Sequence, residues 1–170
     1  MRSVSSQAIV AATVEQTWGQ ITNVEIANYP LPKAFRLAGI PHPLRAEIVS
    51  EGIGGERIAY FDSGKRFIQR ITAWNPPHHY AFTFNPETGF KVLFLFDLSD
   101  GIVMIPSGSY VLESDDRTAG TAIQLVTEYS IDRRFSFLIG FAVRSALRMY
   151  QRYLLTSITA NANHGDGQSR

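Results

Sequence analysis

Two hydrophobic periods divide this sequence, and their order constrains the fold more than any other feature. From Leu44 to Ile131, apolar residues recur mostly at every second position, in short runs broken by turn signals. From 133 to about 160 the period becomes that of a helix. Arg144, Arg148 and Arg152 mark its solvent face, and Phe135, Ile139, Ala142, Val143, Ala146, Tyr150 and Tyr153 gather on the other. Alternating strands need a cover on their apolar face, and the long helix that follows them can supply it. An antiparallel sheet with helices segregated to one face is α+β.

The turns support this division. Ser63-Gly64 lies between "ERIAYFD" and "KRFIQRITAW" as a tight hairpin. "EGIGG", "NPP" and "DDRTAG" separate the other runs. Ahead of them, "SVSSQAIVAA" (3–12) reads as a strand, and "TVEQTWGQITNV" opens a helix. Thr13 and Gln16 have capping-box spacing, and Val14, Trp18 and Ile21 share the face to be buried. A second, shorter helix is expected over 28–39, with Pro30 and Pro32 at its start and Gly39 at its end. The expectation is a single domain, 1–160, with a disordered tail over 161–170.

Composition excludes several classes of function. Hydrophobic residues make up 45% of the 170, enough for a folded core. The net charge of +1 gives no electrostatic reason to expect nucleic acid. Without cysteine there is no disulfide, thiolate metal site or cysteine nucleophile. A membrane span needs about 20 apolar residues. Asp97, Ser99 and Asp100 interrupt one candidate, and Arg144, Arg148 and Arg152 follow closely on "FSFLIGFAV". No signal peptide is visible, and a soluble cytoplasmic protein is expected.

The catalytic inventory is thin. His78 and His79 would point to opposite faces of a strand, His42 lies between two prolines, and His164 lies in the tail. No metal site and no cofactor are expected. "GIGG" lacks the strand-to-helix context of a phosphate loop. Arg45, Glu47 and Arg57 could reach the mouth of a pocket, but salt-bridged surface strands explain them more simply. The densest apolar stretch is "GFKVLFLFDLSDGIVMIPSG", 89–108. Phe90, Val92, Phe94 and Phe96 would line one face, with Leu93 and Leu95 on the other. "DLSDG" would be the loop of an extra hairpin. With both faces apolar, that hairpin is expected at the edge of a pocket or in a homodimer contact through 90–105.

The order of elements resembles the helix-grip, START-like superfamily, which includes polyketide cyclases, lipid-transfer domains, pollen allergens and plant hormone receptors. "VEQTWGQITNVEIANYP" resembles its first helix, with Trp18 in the usual aromatic place. "EGIGGERIAYFDSGKRFIQRITAWNPPHHYAFTF" resembles its Gly-rich turn, hairpin and W-x-P-P turn. "YQRYLLTSI" is similar to the closing helices of bacterial members. The resemblance implies a curved antiparallel sheet wrapping a long C-terminal helix, two short helices after the first strand, and a pocket between helix and sheet.

Within that frame, alternation nominates the lining. Phe67, Gln69 and Ile71 share a face, as do Leu125 and Tyr129; Val143, Ala146, Tyr150 and Tyr153 come from the helix. Relatives often carry a carboxylate at the position matching Gln69. An amide cannot serve as a general base, and Gln69 could equally bond to backbone within a filled core. Three functions are open: binding or transfer of a small apolar ligand such as a lipid or polyketide, cyclase or dehydratase chemistry with Tyr129 or Tyr150 polarising a carbonyl, and protein interaction through 90–105.

Overall fold

The computed structural model describes residues 1–92, 96–98 and 101–165. Strand β1 (Arg2–Val10) leads into helix α1 (Val14–Thr22), a two-residue strand β2 (Val24–Glu25) and helix α2 (Lys33–Leu37). Four strands follow: β3 (Pro43–Ser50), β4 (Glu56–Phe61), β5 (Arg66–Asn75) and β6 (His79–Pro86). The short β7 (Lys91–Val92) and β8 (Phe96–Asp97) precede β9 (Val103–Asp115), β10 (Gly120–Ile131) and helix α3 (Ser136–Gly165).

Eight strands form one antiparallel sheet in the order β1-β10-β9-β6-β5-β4-β3-β2. It curls into a half-barrel around α3, as expected from the sequence. Alternation sets which side chains face inward: Phe67, Gln69 and Ile71 on β5 are buried, and so are Ile123, Leu125, Thr127 and Tyr129 on β10. The Thr13 hydroxyl accepts from the Gln16 amide, and the Gln16 side chain accepts from the Thr13 amide, so the capping box forms. Trp18 of α1 meets Trp74 of the W-x-P-P turn edge to face, with ring centroids 5.0 Å apart. Two stretches that carried the resemblance are therefore in contact.

Gln151 fixes α3 against the sheet. Its Nε2 donates to the Val4 carbonyl (3.1 Å) and the Thr127 hydroxyl (2.9 Å), and its Oε1 accepts from Ser6 (2.8 Å). Those bonds to β1 and β10 set the rotation of the helix. Buried and fully bonded, they resist exchange for water.

Several expectations change. Helix α2 covers only Lys33–Leu37, because Pro30 and Pro32 keep the preceding chain extended and Pro32 serves as N-cap. Helix α3 continues through 161–165, where a disordered tail was expected; residues 166–170 lie outside those described. The hairpin in 89–108 is not the one expected. Lys91 pairs with Asp97 and Val92 with Phe96, whereas 103–107 belong to β9 and pair mainly with β10. "IVMIP" and "SYVLES" thus form parts of one strand of 13 residues. The expected faces of residues 93–95 lie outside the described residues.

Gly120 opens β10 where β1 ends. A Cβ there would lie 2.3 Å from the Val10 carbonyl oxygen, with rigid backbone on both sides. Gly120→Ala should therefore cost about 2 kcal/mol, read as a lower denaturation midpoint with unchanged m-value.

Candidate ligand cavity

Between α3 and the concave face of the sheet lie two adjoining chambers. The first, about 100 Å³, is wholly apolar. Val143, Ala146, Leu147 and Tyr150 close it from α3, and Phe61 and Phe67 from the sheet. Phe90, Leu98, Val103 and Ile105 close its end. The 90–105 segment therefore borders the cavity: Phe90, Leu98 and Val103 are 2%, 7% and 3% exposed. The second chamber, about 110 Å³, runs deeper and is bordered by Gln69, Leu125, Thr127, Gln151, Tyr110 and Arg57 among others. Phe61, Phe67, Ile105, Leu147 and Tyr150 border both. An apolar cavity of about 150 Å³ accepts benzene, so each chamber has the scale of one small ring or short chain.

Arg57 organises the deep end. It is buried, not paired on the surface as its sequence context indicated; only Arg45 and Glu47 behave so, at 2.7 Å. Helix α1 ends with unsatisfied carbonyls and the negative end of its dipole, and carries no basic residue in its last turn. Arg57 reaches over from β4 to fill that role. Its Nε donates to the Thr22 carbonyl (3.0 Å) and its Nη2 to the Ile21 carbonyl (2.8 Å). Its Nη1 donates to Gln69 Oε1 at 2.9 Å. The Tyr80 hydroxyl points at the same oxygen, 3.4 Å away. This explains the amide at position 69: its oxygen is held by Arg57 while its NH2 has no partner among the described residues. Among the described residues no carboxylate neutralises the guanidinium, whose hydrogen bonds all go to carbonyl oxygens.

Two phenols complete the polar end. Tyr110 and Tyr150 both border the deep chamber, and neither hydroxyl has a hydrogen-bond partner among the described residues. Burial pushes both up in pKa, and Tyr80 likewise, against the opposing pull of the nearby Arg57 charge. All three remain protonated donors at neutral pH. The chamber thus presents the Gln69 amide, two phenols and a guanidinium, a surplus of donors. Among the described residues, neither chamber is bordered by Asp, Glu or His.

Of the residues nominated from sequence, Phe67, Gln69, Leu125, Val143, Ala146 and Tyr150 border the cavity. Three do not. Ile71 is packed in the core at 1% exposure. Tyr129 lies four residues along β10 from Leu125, roughly 13 Å. It is buried near the start of α3, beside Arg2 and Ser136, instead of at the cavity. Sharing a face of a long strand does not mean sharing a site. The Tyr153 hydroxyl donates to the Tyr29 carbonyl (2.7 Å) and lies 3.0 Å from His42 Nε2, so it tethers α3 to the segments before and after α2. Sequence reading misses Tyr110 and Gln151 and brings Arg45 and Arg57 no nearer than the pocket mouth, whereas both arginines border the deep chamber. Tyr110 sits in period with inward positions of β9, as Arg57 does with Ala59 and Phe61 on β4, and Gln151 lies one turn from Leu147 and Leu155; what the sequence does not show is the distant polar partners that satisfy Arg57 and Gln151.

Two measurements check these assignments. Arg57→Met would strand the Ile21 and Thr22 carbonyls and leave the Gln69 oxygen only the long Tyr80 contact, and should destabilise the fold by about 2–4 kcal/mol in denaturant unfolding. The raised tyrosine pKa values set the alkaline limit. In the unfolded chain tyrosines ionise near 10, whereas the buried ones resist ionisation. Their contribution to stability is intact below about pH 10 and is lost as pH rises beyond it. Absorbance at the tyrosinate band should show a cooperative step that coincides with unfolding.

No family model matches this sequence, and no curated protein matches it either. Solved structures do. A Mesorhizobium loti protein superposes with a TM-score of 0.60 at 12% identity, over 96% of this chain and 98% of that one. Ara h 8.0201 gives 0.60 at 14%, over 96% and 98%. A norcoclaurine synthase point mutant from Thalictrum flavum, solved with a transition-state analogue, gives 0.58 at 14%, over 97% and 96%. Such low identities establish architecture alone. With its half-barrel closed on one long helix over nearly its whole length, this chain has the helix-grip fold.

Proposed function

We propose that this protein binds, and can transfer, a small and mostly apolar ligand carrying one hydrogen-bond-accepting oxygen. The observation that carries this reading is the contrast between the two chambers. One is wholly apolar, while the other ends in donors that have no acceptor among the described residues. A carbonyl or carboxylate would satisfy Tyr110, Tyr150, the Gln69 amide and the spare Arg57 N–H groups, and its apolar body would fill the first chamber. The combined volume favours one ring with a short chain over a long lipid.

Catalysis of cyclase or dehydratase type is the second reading. Tyr150 can donate to a carbonyl oxygen and polarise it. Tyr129 has no part in it, being remote from the cavity. The absence of a carboxylate or imidazole at the lining, among the described residues, leaves no base for proton abstraction, and binding is favoured.

Calorimetric titration with 4-butylbenzoate and with butylbenzene tests the reading. The acid should bind about tenfold more tightly than the hydrocarbon. Tyr150→Phe should leave thermal stability unchanged and weaken binding of the acid about fivefold. Ala146→Trp, which fills the first chamber, should abolish uptake of both. Failure of both compounds to bind overturns the cavity as a ligand site; equal affinity for the two overturns the role of the donors.

A further inference from the structure

We propose that the first turns of α3 dock onto an anionic lipid surface. Phe137, Leu138 and Phe141 are 97%, 74% and 87% exposed. Three large apolar side chains within five residues, presented to solvent on a rigid helix, have no structural use in an isolated domain. Farther along α3 the exposed positions include Arg144, Arg148 and Arg152, and the one large apolar side chain among them, Met149, is only 39% exposed.

The charge around them selects the partner. Residues 133–165 contain five arginines and no acidic residue, although the chain as a whole nets only +1. Arg2, Arg133 and Arg144 border an open concavity together with Phe137 and Phe141. Arg2 is held there by its bond to the Ser136 hydroxyl at 2.7 Å. Asp132, the acid nearest the helix start, caps the Arg134 amide at 2.8 Å. Apolar side chains flanked by cations match an interface of acyl chains beneath anionic headgroups. A second copy of the chain fits poorly, because a two-fold contact through this patch would set the arginines of one copy against those of the other.

Flotation of the full chain with vesicles tests this, comparing phosphatidylcholine alone with phosphatidylcholine mixed with phosphatidylglycerol. The protein should float with the anionic vesicles only, and release as salt rises. Phe137→Ser with Leu138→Ser and Phe141→Ser should lower partitioning about tenfold or more, and so should Arg133→Gln with Arg144→Gln. All these positions are exposed, so thermal unfolding should not change. Equal flotation of the serine variant, or none of the wild type, overturns the proposal. So does a dimer in light scattering that the serine variant dissolves, which would assign the patch to a second copy.

Discussion

The bond between Arg57 and the end of α1 is the constraint on which the rest of the interior depends. A short helix leaves carbonyls unsatisfied at its C-terminus, and α1 ends against the sheet, away from water. Arg57 meets Ile21 and Thr22 with two hydrogen bonds and extends a third to Gln69. One side chain thereby links α1, β4 and β5. It also places a positive charge inside the half-barrel with no carboxylate beside it among the described residues. Burial of such a charge is tolerable only because oriented carbonyl dipoles surround it.

The character of the cavity follows from that placement. The aromatic and aliphatic side chains of β4, β5, β9 and α3 would by themselves make a dry space. With Arg57 holding the Gln69 oxygen, the amide of Gln69 joins Tyr110 and Tyr150 as donors at one end. The result is an apolar chamber joined to a donor-rich one, a polarity that orients a ligand instead of merely dissolving it. No general base faces this space among the described residues, so the same arrangement that favours binding gives little footing for proton-transfer chemistry.

Helix α3 serves the fold with one side and meets solvent with the other, and Gln151 decides which is which. Its three hydrogen bonds to Val4, Thr127 and Ser6 fix the rotation of the helix. Val143, Ala146 and Tyr150 then border the cavity. Phe137, Leu138 and Phe141 are left in solvent, and so is Ala142, which the helical stripe assigned to the interior. Apolar character along a helix shows that a face will be covered; it does not say by what.

The sequence by itself determined the architecture. Alternation on β5 and β10, the Thr13–Gln16 cap, the turns and the long final helix all act through neighbours in the chain, so they are legible locally. It also nominated much of the cavity lining, because inward positions on strands follow from a period of two. Tertiary structure decided the rest. Tyr129 and Leu125 share a face but not a site, since distance along a strand is invisible to periodicity. Tyr153 is spent on Tyr29, and Arg57 is drawn inward by helix carbonyls contributed from more than thirty residues earlier in the chain. In the 89–108 stretch, local pattern placed "IVMIP" in a strand but not its pairing, and it joined into one strand the residues of β7 and β8, which pair with each other. Residues 103–107 join β10 because a long strand in the main sheet gains more ladder bonds than an isolated hairpin. Where a partner lies far away in sequence, only the folded chain shows which polar side chain it recruits.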